Sequence, residues 1–201
     1  MESEPRRFIL ASGSPRRRAM FAEMGVAFEV VVSNVPEDEM PGEKPDAHVR
    51  RLAYAKADEV ARGRDDALVL GVDTIVVIDG EILGKPADPD DAVRMLGRLA
   101  GRDHTVFTGY ALVWTAGAAR ESRVVQSRVF MRALTTERIR WYVATGEPMD
   151  KAGAYAIQGI GASLVTRVEG SYTCVVGLPL AEAVLDIERL VGPDWLFEQR
   201  P

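Results

Sequence analysis

Cysteine and histidine are scarce in this chain of 201 residues, and this limits the chemistry open to it. The single cysteine, Cys174, excludes an intrachain disulfide framework and a cysteine-rich zinc site. The two histidines, His48 and His104, have no partner at the spacing of a zinc site. We expect His104 to be structural and Cys174, which lacks basic neighbours, to be an unreactive, half-buried thiol. One cysteine fits a reducing compartment, so we expect a cytoplasmic protein.

Long apolar runs and an excess of basic residues are missing as well. No segment approaches the ~20 apolar residues of a membrane helix. The apolar run 8–11 is too short for a signal peptide, so we expect no membrane association. Lys and Arg number 25 against 30 Asp and Glu, a formal net charge of −5. An acidic chain disfavours nucleic acid as a partner, despite the short basic run 16–18.

Segments typical of strands and helices alternate along the chain. Strands are predicted over 8–11, 27–32, 67–72, 74–78, 81–83, 104–114, 123–133 and 163–169. Helices are predicted to start at Ser14-Pro15, Asp46, Asp88, Thr136 and Pro179, and a loop over 33–44. Asp79-Gly80 predicts a tight hairpin, and a turn near Gly117 is expected to join two antiparallel strands. The pattern predicts a single α/β or mixed α+β domain over 1–201, with a central mixed sheet flanked by helices.

The segment Ser12-Gly13-Ser14-Pro15-Arg16-Arg17 lies between a predicted strand and a helix N-terminus. Helix-start N–H groups attract anions, Ser12 and Ser14 add hydroxyl donors, and Arg16 and Arg17 can grip phosphate oxygens. The alternative is a capped helix with a solvated basic first turn, although cations there oppose the helix dipole. The P-loop pattern GxxxxGK[ST] is absent, so any phosphate site is of another kind.

Three further charged residues are candidates for chemistry. Asp73 stands at the junction of two apolar runs, where it is either a metal ligand or general base, or a turn residue accepting backbone N–H bonds. Lys85, between Gly84 and Pro86, either meets a phosphate or is an ordinary exposed loop lysine. Lys56 either meets a phosphate or snorkels at the edge of an apolar helix face.

The stretch 145–159 is rich in glycine and polar residues and is too long for a simple turn. Gln158 carries both a donor and an acceptor and can read the edge of a base. The alternative is a surface loop docked by Tyr155 and Ile157. No GxSxG nucleophile elbow is present. Residue patterns alone therefore indicate a phosphate-bearing ligand and a divalent metal, without naming a reaction.

Taken together, these segments resemble the Maf family of nucleoside triphosphate pyrophosphatases. The resemblance runs from LASGSPRRRAMFAEMG through RLAYAKADEVA, GVDTIVVIDGEILGKP, MLGRLAGRDHTVFTGYAL and YVATGEPMDKAGAYAIQGIGA to GSYTCVVGLPL. It implies a fold like that of the inosine triphosphate pyrophosphatases, with an elongated sheet and two lobes around a nucleotide cleft. It also implies hydrolysis between the α and β phosphates with Mg²⁺ or Mn²⁺, and a homodimer.

The resemblance also assigns residues. The family's catalytic and metal-binding Asp matches Asp73, and its phosphate-binding groups match the candidates above: Ser12, Ser14, Arg16, Arg17, Lys56 and Lys85. An acidic loop residue of the site, a second metal ligand, matches Glu39, with Glu37 as the other possible register. The positions that separate substrate subgroups match Arg16, Thr74 and Gln158, and they resemble the subgroup that prefers dTTP and UTP. This implies a house-cleaning enzyme of the nucleotide pool, acting on canonical or modified pyrimidine nucleotides.

Two other functions compete with this interpretation. The family is associated with arrest of cell division, so the chain could be a nucleotide-binding regulator whose hydrolysis is incidental. It could also be a phosphatase or kinase of another substrate, although kinase and P-loop motifs are absent.

Overall fold

The computed structural model describes residues 7–115 and 119–199. The described residues contain strands and helices in alternation, as the sequence predicts. The strands are β1 (Arg7–Ala11), β2 (Glu29–Val30), β3 (Ala67–Ile78), β4 (Glu81–Leu83), β5 (Asp103–Trp114), β6 (Arg120–Met131) and β7 (Val165–Glu169). The helices are α1 (Pro15–Glu23), α2 (Pro45–Ala61), α3 (Pro89–Leu99), α4 (Thr136–Val143), α5 (Tyr172–Val176), α6 (Leu180–Val191) and α7 (Trp195–Glu198).

Within the described residues the seven strands form one mixed sheet in the order β2-β1-β3-β5-β6-β7, with β4 paired to β3. β1 runs parallel to β2 and β3, whereas β4 is antiparallel to β3 and β7 to β6. This sheet with its flanking helices confirms the predicted fold class. Among the described residues no helix has the length and apolar character needed to cross a membrane.

β3 is a continuous strand of 12 residues that passes through Asp73. The prediction of two strands meeting at Asp73 was therefore wrong. The run 67–78 is rich in β-branched residues on both sides of the aspartate, and no turn residue interrupts it. Asp73 is thus not a turn residue, and the alternative that treated it as one is excluded.

Other boundaries differ more modestly from the prediction. β2 is limited to two residues, and β6 begins and ends earlier than predicted. The turn expected near Gly117 lies outside the described residues. The stretch after α4 contains three short 3₁₀ helices, Glu147–Asp150, Ala152–Ala154 and Gly159–Leu164. Helix α3 begins as predicted, with the Asp88 side chain accepting a hydrogen bond from the Asp91 amide.

The chain divides into two compact units. The first comprises the described residues within Met1–Asp73, Thr108–Val124 and Gly177–Pro201, and the second Thr74–Phe107 and Val125–Val176. A core cluster of the first unit packs α2 on β1, β3 and β5 through alanines and β-branched residues: Ile9, Ala11, Ala53, Ala57, Val60, Ala61, Ala67, Val69, Ala111 and Val113. A cluster of the second unit joins α3 and α4 to the 3₁₀ segment, and includes Leu96, Leu99, Val129, Tyr142 and Tyr155.

Candidate functional site

The turn between β1 and α1 has the form expected of an anion site. Ser14 is the N-cap residue of α1 and Pro15 opens the helix, but the Ser14 side chain makes no capping bond. The Ser12 hydroxyl, on a residue only 7% exposed, instead accepts a hydrogen bond from the Ser14 amide. The first turn of α1 holds no acidic residue, so positive charge from Arg16 and Arg17 gathers there. The structure therefore brings Ser12, Ser14, Arg16 and Arg17 into one local segment.

Arg17 has a structural task in addition to its charge. Its guanidinium donates to the Gly177 carbonyl at 2.7 Å, to the Ser12 hydroxyl at 2.9 Å and to the Val72 carbonyl at 3.2 Å. Burial lowers the pKa of Arg17 to about 10, although Asp73 acts in the opposite direction. Arg17 therefore remains a cation at neutral pH, and it fastens α1 to β3 beside Asp73.

Lys56 joins two carboxylates at the centre of the first unit. Its Nζ lies 2.7 Å from Asp73 Oδ1 and 2.6 Å from Glu37 Oε1. Lys56 is 8% exposed and Asp73 is 6% exposed, whereas Glu37 is exposed. A buried charge is costly unless it is paired, and each of these two buried groups offsets the cost of the other. The snorkelling alternative for Lys56 is excluded, because its ammonium is buried against Asp73.

Two glycines allow α2, and with it Lys56, to lie close against the sheet. A Cβ at Gly71 would stand 2.2 Å from the Ala53 carbonyl oxygen, and one at Gly109 would stand 2.5 Å from the Val49 carbonyl oxygen. The helix backbone therefore packs directly on β3 and β5. Gly71 lies inside a strand that the sequence predicts, and it is the point where the helix contacts the sheet.

The acidic loop 33–44 is tied to α2 at both ends. Glu59 accepts hydrogen bonds from the Ser33 hydroxyl and the Asn34 amide. At the other end Glu43 binds both Arg51 and the buried His48, and the Arg51 hydrogen bond holds the pKa of Glu43 near 2. The loop that carries Glu37 is thereby held against the helix that carries Lys56.

The middle of this loop is fixed as well. Arg51 donates a further hydrogen bond to the Asp38 carbonyl, directly beside Glu37. The geometry favours Glu37 over Glu39 as the acidic residue of the site, since Glu37 contacts Lys56 and Glu39 is an exposed residue of the same loop. Sequence reasoning did not identify the roles of Glu43, Arg51 or Glu59, although each is a charged residue close to a candidate.

The second unit carries Thr74, Lys85 and Gln158. Thr74 is half-buried and follows Asp73 in β3, while Lys85 and Gln158 are exposed. Lys85 lies just past β4, where the Gly84 carbonyl accepts a hydrogen bond from the Gly153 amide at 3.0 Å. This bond joins the segment of Lys85 to the stretch that contains Gln158. Tyr155 and Ile157 are both buried and dock that stretch, as one of the two interpretations predicted.

His104 and Cys174 are buried in the second unit. The His104 Nε2 lies 2.8 Å from the Tyr155 hydroxyl, and burial lowers the pKa of His104 to about 4. Cys174 is fully buried rather than half-buried, and its thiol faces the Val125 carbonyl. Both contacts agree with structural roles.

The donor set of the first unit fits a hard divalent cation that keeps open positions. Asp73 and Glu37 place two carboxylates on the same ammonium group, and Mg²⁺ is commonly bound by one or two carboxylates together with substrate phosphates. Residues 7–115 and 119–199 contain no group of three or more His, Cys, Asp or Glu side chains able to hold a metal alone. The residues therefore suit a cation whose remaining ligands come from a phosphate ligand and water.

Comparison with known proteins identifies relatives of this chain. A family model described as Maf-like protein matches residues 7–190. A dTTP/UTP pyrophosphatase of Geobacter metallireducens is 51% identical over 187 residues, which cover 93% of this chain and 97% of that protein. Another, from Syntrophotalea carbinolica, is 50% identical over 96% of this chain and 89% of that protein. A third, from Nitratidesulfovibrio vulgaris, is 54% identical over 87% of this chain and 83% of that protein.

Proposed function

Because this chain belongs to the Maf family, we propose that it hydrolyses dTTP and UTP to the nucleoside monophosphate and pyrophosphate. Relatives that are about 50% identical to it over most of both chains are named dTTP/UTP pyrophosphatase. The single observation that carries the proposal is the buried Asp73 carboxylate, held 2.7 Å from Lys56 beside Arg17 and Glu37. The Asp73 carboxylate can accept a proton, and the cations around it are suited to binding phosphate oxygens.

In the proposed reaction a water oxygen attacks the α phosphorus and the α–β anhydride bond breaks. The bonding pair leaves with pyrophosphate, and Asp73 accepts the proton of the attacking water. Arg16, Arg17, Lys56 and Lys85 bind phosphate oxygens and offset the negative charge that grows on the leaving group. Ser12 and Ser14 orient the same phosphates at the start of α1.

A divalent cation, Mg²⁺ or Mn²⁺, would be held by Asp73 and Glu37 together with phosphate oxygens, and would supply Lewis-acid stabilisation of negative charge. In this proposal Glu37 takes the place that the resemblance assigned to Glu39. Lys56 binds both carboxylates and would also bind substrate oxygens.

Base recognition is proposed to depend on the second unit and on Arg16. Gln158 can donate to O4 and accept from N3–H of uracil or thymine, while Thr74 and Arg16 complete the contact with the nucleoside. We further propose that the protein acts in the cytoplasm as a homodimer. Sedimentation equilibrium tests the assembly, and a monomer at micromolar concentration would contradict it.

The test is a product-resolved hydrolysis screen of dTTP, UTP, CTP, GTP and 7-methyl-GTP with Mg²⁺ or Mn²⁺. We expect monophosphate and pyrophosphate from dTTP and UTP. Asp73→Asn, which keeps the shape of the side chain, is expected to lower kcat by about 10²–10⁴-fold if Asp73 is the base. Asp65→Asn, an exposed aspartate just before β3, serves as the matched control and is expected to leave kcat unchanged.

Other results would contradict specific parts of the proposal. Orthophosphate as the product would move the cleavage to another bond. Turnover of 7-methyl-GTP instead of dTTP and UTP would keep the chemistry and overturn the role of Gln158. A loss of less than a few-fold in Asp73→Asn would remove Asp73 as the base. Nucleotide binding without turnover would favour a regulator of cell division.

A further inference from the structure

Glu147 lies in the 3₁₀ segment after α4 and binds main chain that is far from it in sequence. One carboxylate oxygen accepts hydrogen bonds from the Tyr142 hydroxyl and the Gly161 amide, both at 2.8 Å. The other accepts from the Ile160 amide at 3.0 Å. Burial acts to raise the pKa of Glu147, but these hydrogen bonds outweigh it and the net pKa is lowered. The side chain is therefore an ionised acceptor of three protein hydrogen bonds.

Tyr142 extends the same network to the other side of Gln158. Its hydroxyl donates to Glu147 and accepts a hydrogen bond from the Ala156 amide at 3.1 Å. The main chain before Gln158 is thus held through Tyr142, and the main chain after it is held by Glu147 directly. Gln158 itself is exposed between these two anchors.

Two glycines show how closely the loop fits these anchors. Gly159 has a φ of +64°, and a Cβ there would lie 2.6 Å from Glu147 Oε2. A Cβ at Gly161 would lie 2.3 Å from the Ala156 carbonyl oxygen and 2.5 Å from the Tyr142 hydroxyl. Such contacts leave no space for a side chain. Glu147 and Tyr142 thus fix the loop 156–161 in one conformation.

An amide side chain alone does not distinguish uracil from cytosine. In one orientation it donates to O4 and accepts from N3–H of uracil. Turned over, it donates to N3 and accepts from the amino group of cytosine. A fixed main chain does not stop the amide from turning about its own terminal bond, but it sets how far from the sugar the amide lies. Because the pairing edge of a purine lies farther from the sugar than that of a pyrimidine, a fixed position of the amide distinguishes the two sizes of base.

We propose that Glu147 is a positioning residue for base recognition, which fixes the Gln158 loop and so makes the site select pyrimidines over the larger purines. The inference rests on the proposed function, since it assigns a specificity role within the same site. Glu147 acts through the main chain of 160–161 and does not touch the phosphates. Its removal is expected to alter selectivity and KM while leaving phosphate chemistry largely intact.

The experiment compares Glu147→Gln with Asp150→Asn. Both variants lose one carboxylate in the same 3₁₀ helix, but Asp150 is exposed and pairs with Lys151. For Glu147→Gln we expect KM for UTP to rise by about tenfold, the ratio of kcat/KM for UTP over GTP to fall by about tenfold, and kcat to change by less than about threefold. Asp150→Asn is expected to match the parent. An unchanged UTP preference in Glu147→Gln would overturn the proposal.

A second readout does not depend on turnover. Amide hydrogen exchange at Ile160 and Gly161 is expected to be faster in Glu147→Gln than in the parent, and equal rates would overturn the positioning role. Tyr142→Phe removes one hydroxyl and is expected to shift selectivity and amide exchange in the same direction as Glu147→Gln. It therefore replaces Glu147→Gln in the test if that variant does not fold. If the parent turns over neither UTP nor dTTP, the proposed function fails, and the selectivity role with it. The exchange rates still decide separately whether Glu147 holds the loop.

Discussion

The two units of this protein hold their candidate functional groups by opposite means. In the first unit charged side chains hold one another: Lys56 pairs with Asp73 and Glu37, and Arg51 pairs with Glu43. In the second unit Glu147 holds the main-chain amides around Gln158. A site for phosphate needs several charges, and buried charges must be paired when no ligand is present. In the proposed function a base edge meets one amide, and a fixed main chain sets the position of that amide.

The largest effect is expected where α2 packs on the sheet of the first unit. Gly71→Ala places a Cβ against the backbone of α2, so we expect the free energy of unfolding to fall by about 3 kcal/mol or more. The displaced helix also moves Lys56 away from Asp73 and lowers kcat. Urea denaturation measures the first effect and steady-state kinetics the second.

The matched control for Gly71→Ala is Gly97→Ala in α3 of the second unit. Gly97 lies inside that helix, and a Cβ there meets no atom within 4 Å. Alanine is favoured over glycine in a helix, so we expect an increase of about 0.5–1 kcal/mol in the free energy of unfolding. Equal effects of the two substitutions would contradict the close packing of α2.

A second prediction concerns the uncharged interior of the second unit. Burial lowers the pKa of His104 to about 4, so between pH 6.5 and pH 4 the unfolded chain binds the proton more readily than the folded one. The stability contributed by neutral His104 is therefore present at neutral pH and is lost as the pH falls through this window. From pH 7 to pH 4.5 we expect His104 to account for a loss of about 2 kcal/mol.

His104→Gln removes the titration while keeping a polar group near the Tyr155 hydroxyl. The free energy of unfolding of the variant is expected to vary less with pH than that of the parent, by the same amount of about 2 kcal/mol. Denaturant unfolding at several pH values between 4.5 and 7 measures the difference. Parallel pH profiles of parent and variant would show that His104 is not the group responsible.

The smallest effect is expected at the acidic loop of the first unit. Arg51→Gln removes the cation that binds Glu43 and the Asp38 carbonyl, so Glu37 is held less firmly beside Lys56. We expect kcat/KM to fall by about five- to tenfold and the requirement for Mg²⁺ to rise. Arg50→Gln, at the neighbouring exposed position, is the control and is expected to change neither. Equal kcat/KM and equal Mg²⁺ requirement in the two variants would show that Arg51 does not hold Glu37 in place.

The sequence predicted the fold class and the starts of several helices because both depend on short-range patterns. Ser14-Pro15 opens α1 and Asp88 caps α3 by contacts within four residues. The junction assigned to Asp73 was wrong because a charged residue between two apolar runs is read as a break, whereas Asp73 is paired inside the strand with Lys56, 17 residues earlier in the chain. Contact with a distant segment leaves no periodic signal.

The same limit explains why Glu147 and Arg51 escaped prediction. Glu147 binds amides 13 and 14 residues away, and Arg51 binds Glu43 across the start of a helix. Each looks like an ordinary charged residue in the sequence. The choice between Glu37 and Glu39 also depends on which one reaches Lys56, and in a loop without regular periodicity the spacing alone does not decide it.

The tight fit of the Gln158 loop has a consequence for how substrate preference can change over generations. Gly159 and Gly161 leave no space for larger residues, and Ala156 and Ile157 are buried. Mutation in this loop is therefore tolerated chiefly at 158 and 160, whose side chains are exposed. Under the proposed function, a change of base preference within this loop would come from an exchange at position 158, while its neighbours stay the same. The close fit that holds the loop in place also confines its evolution to a few positions.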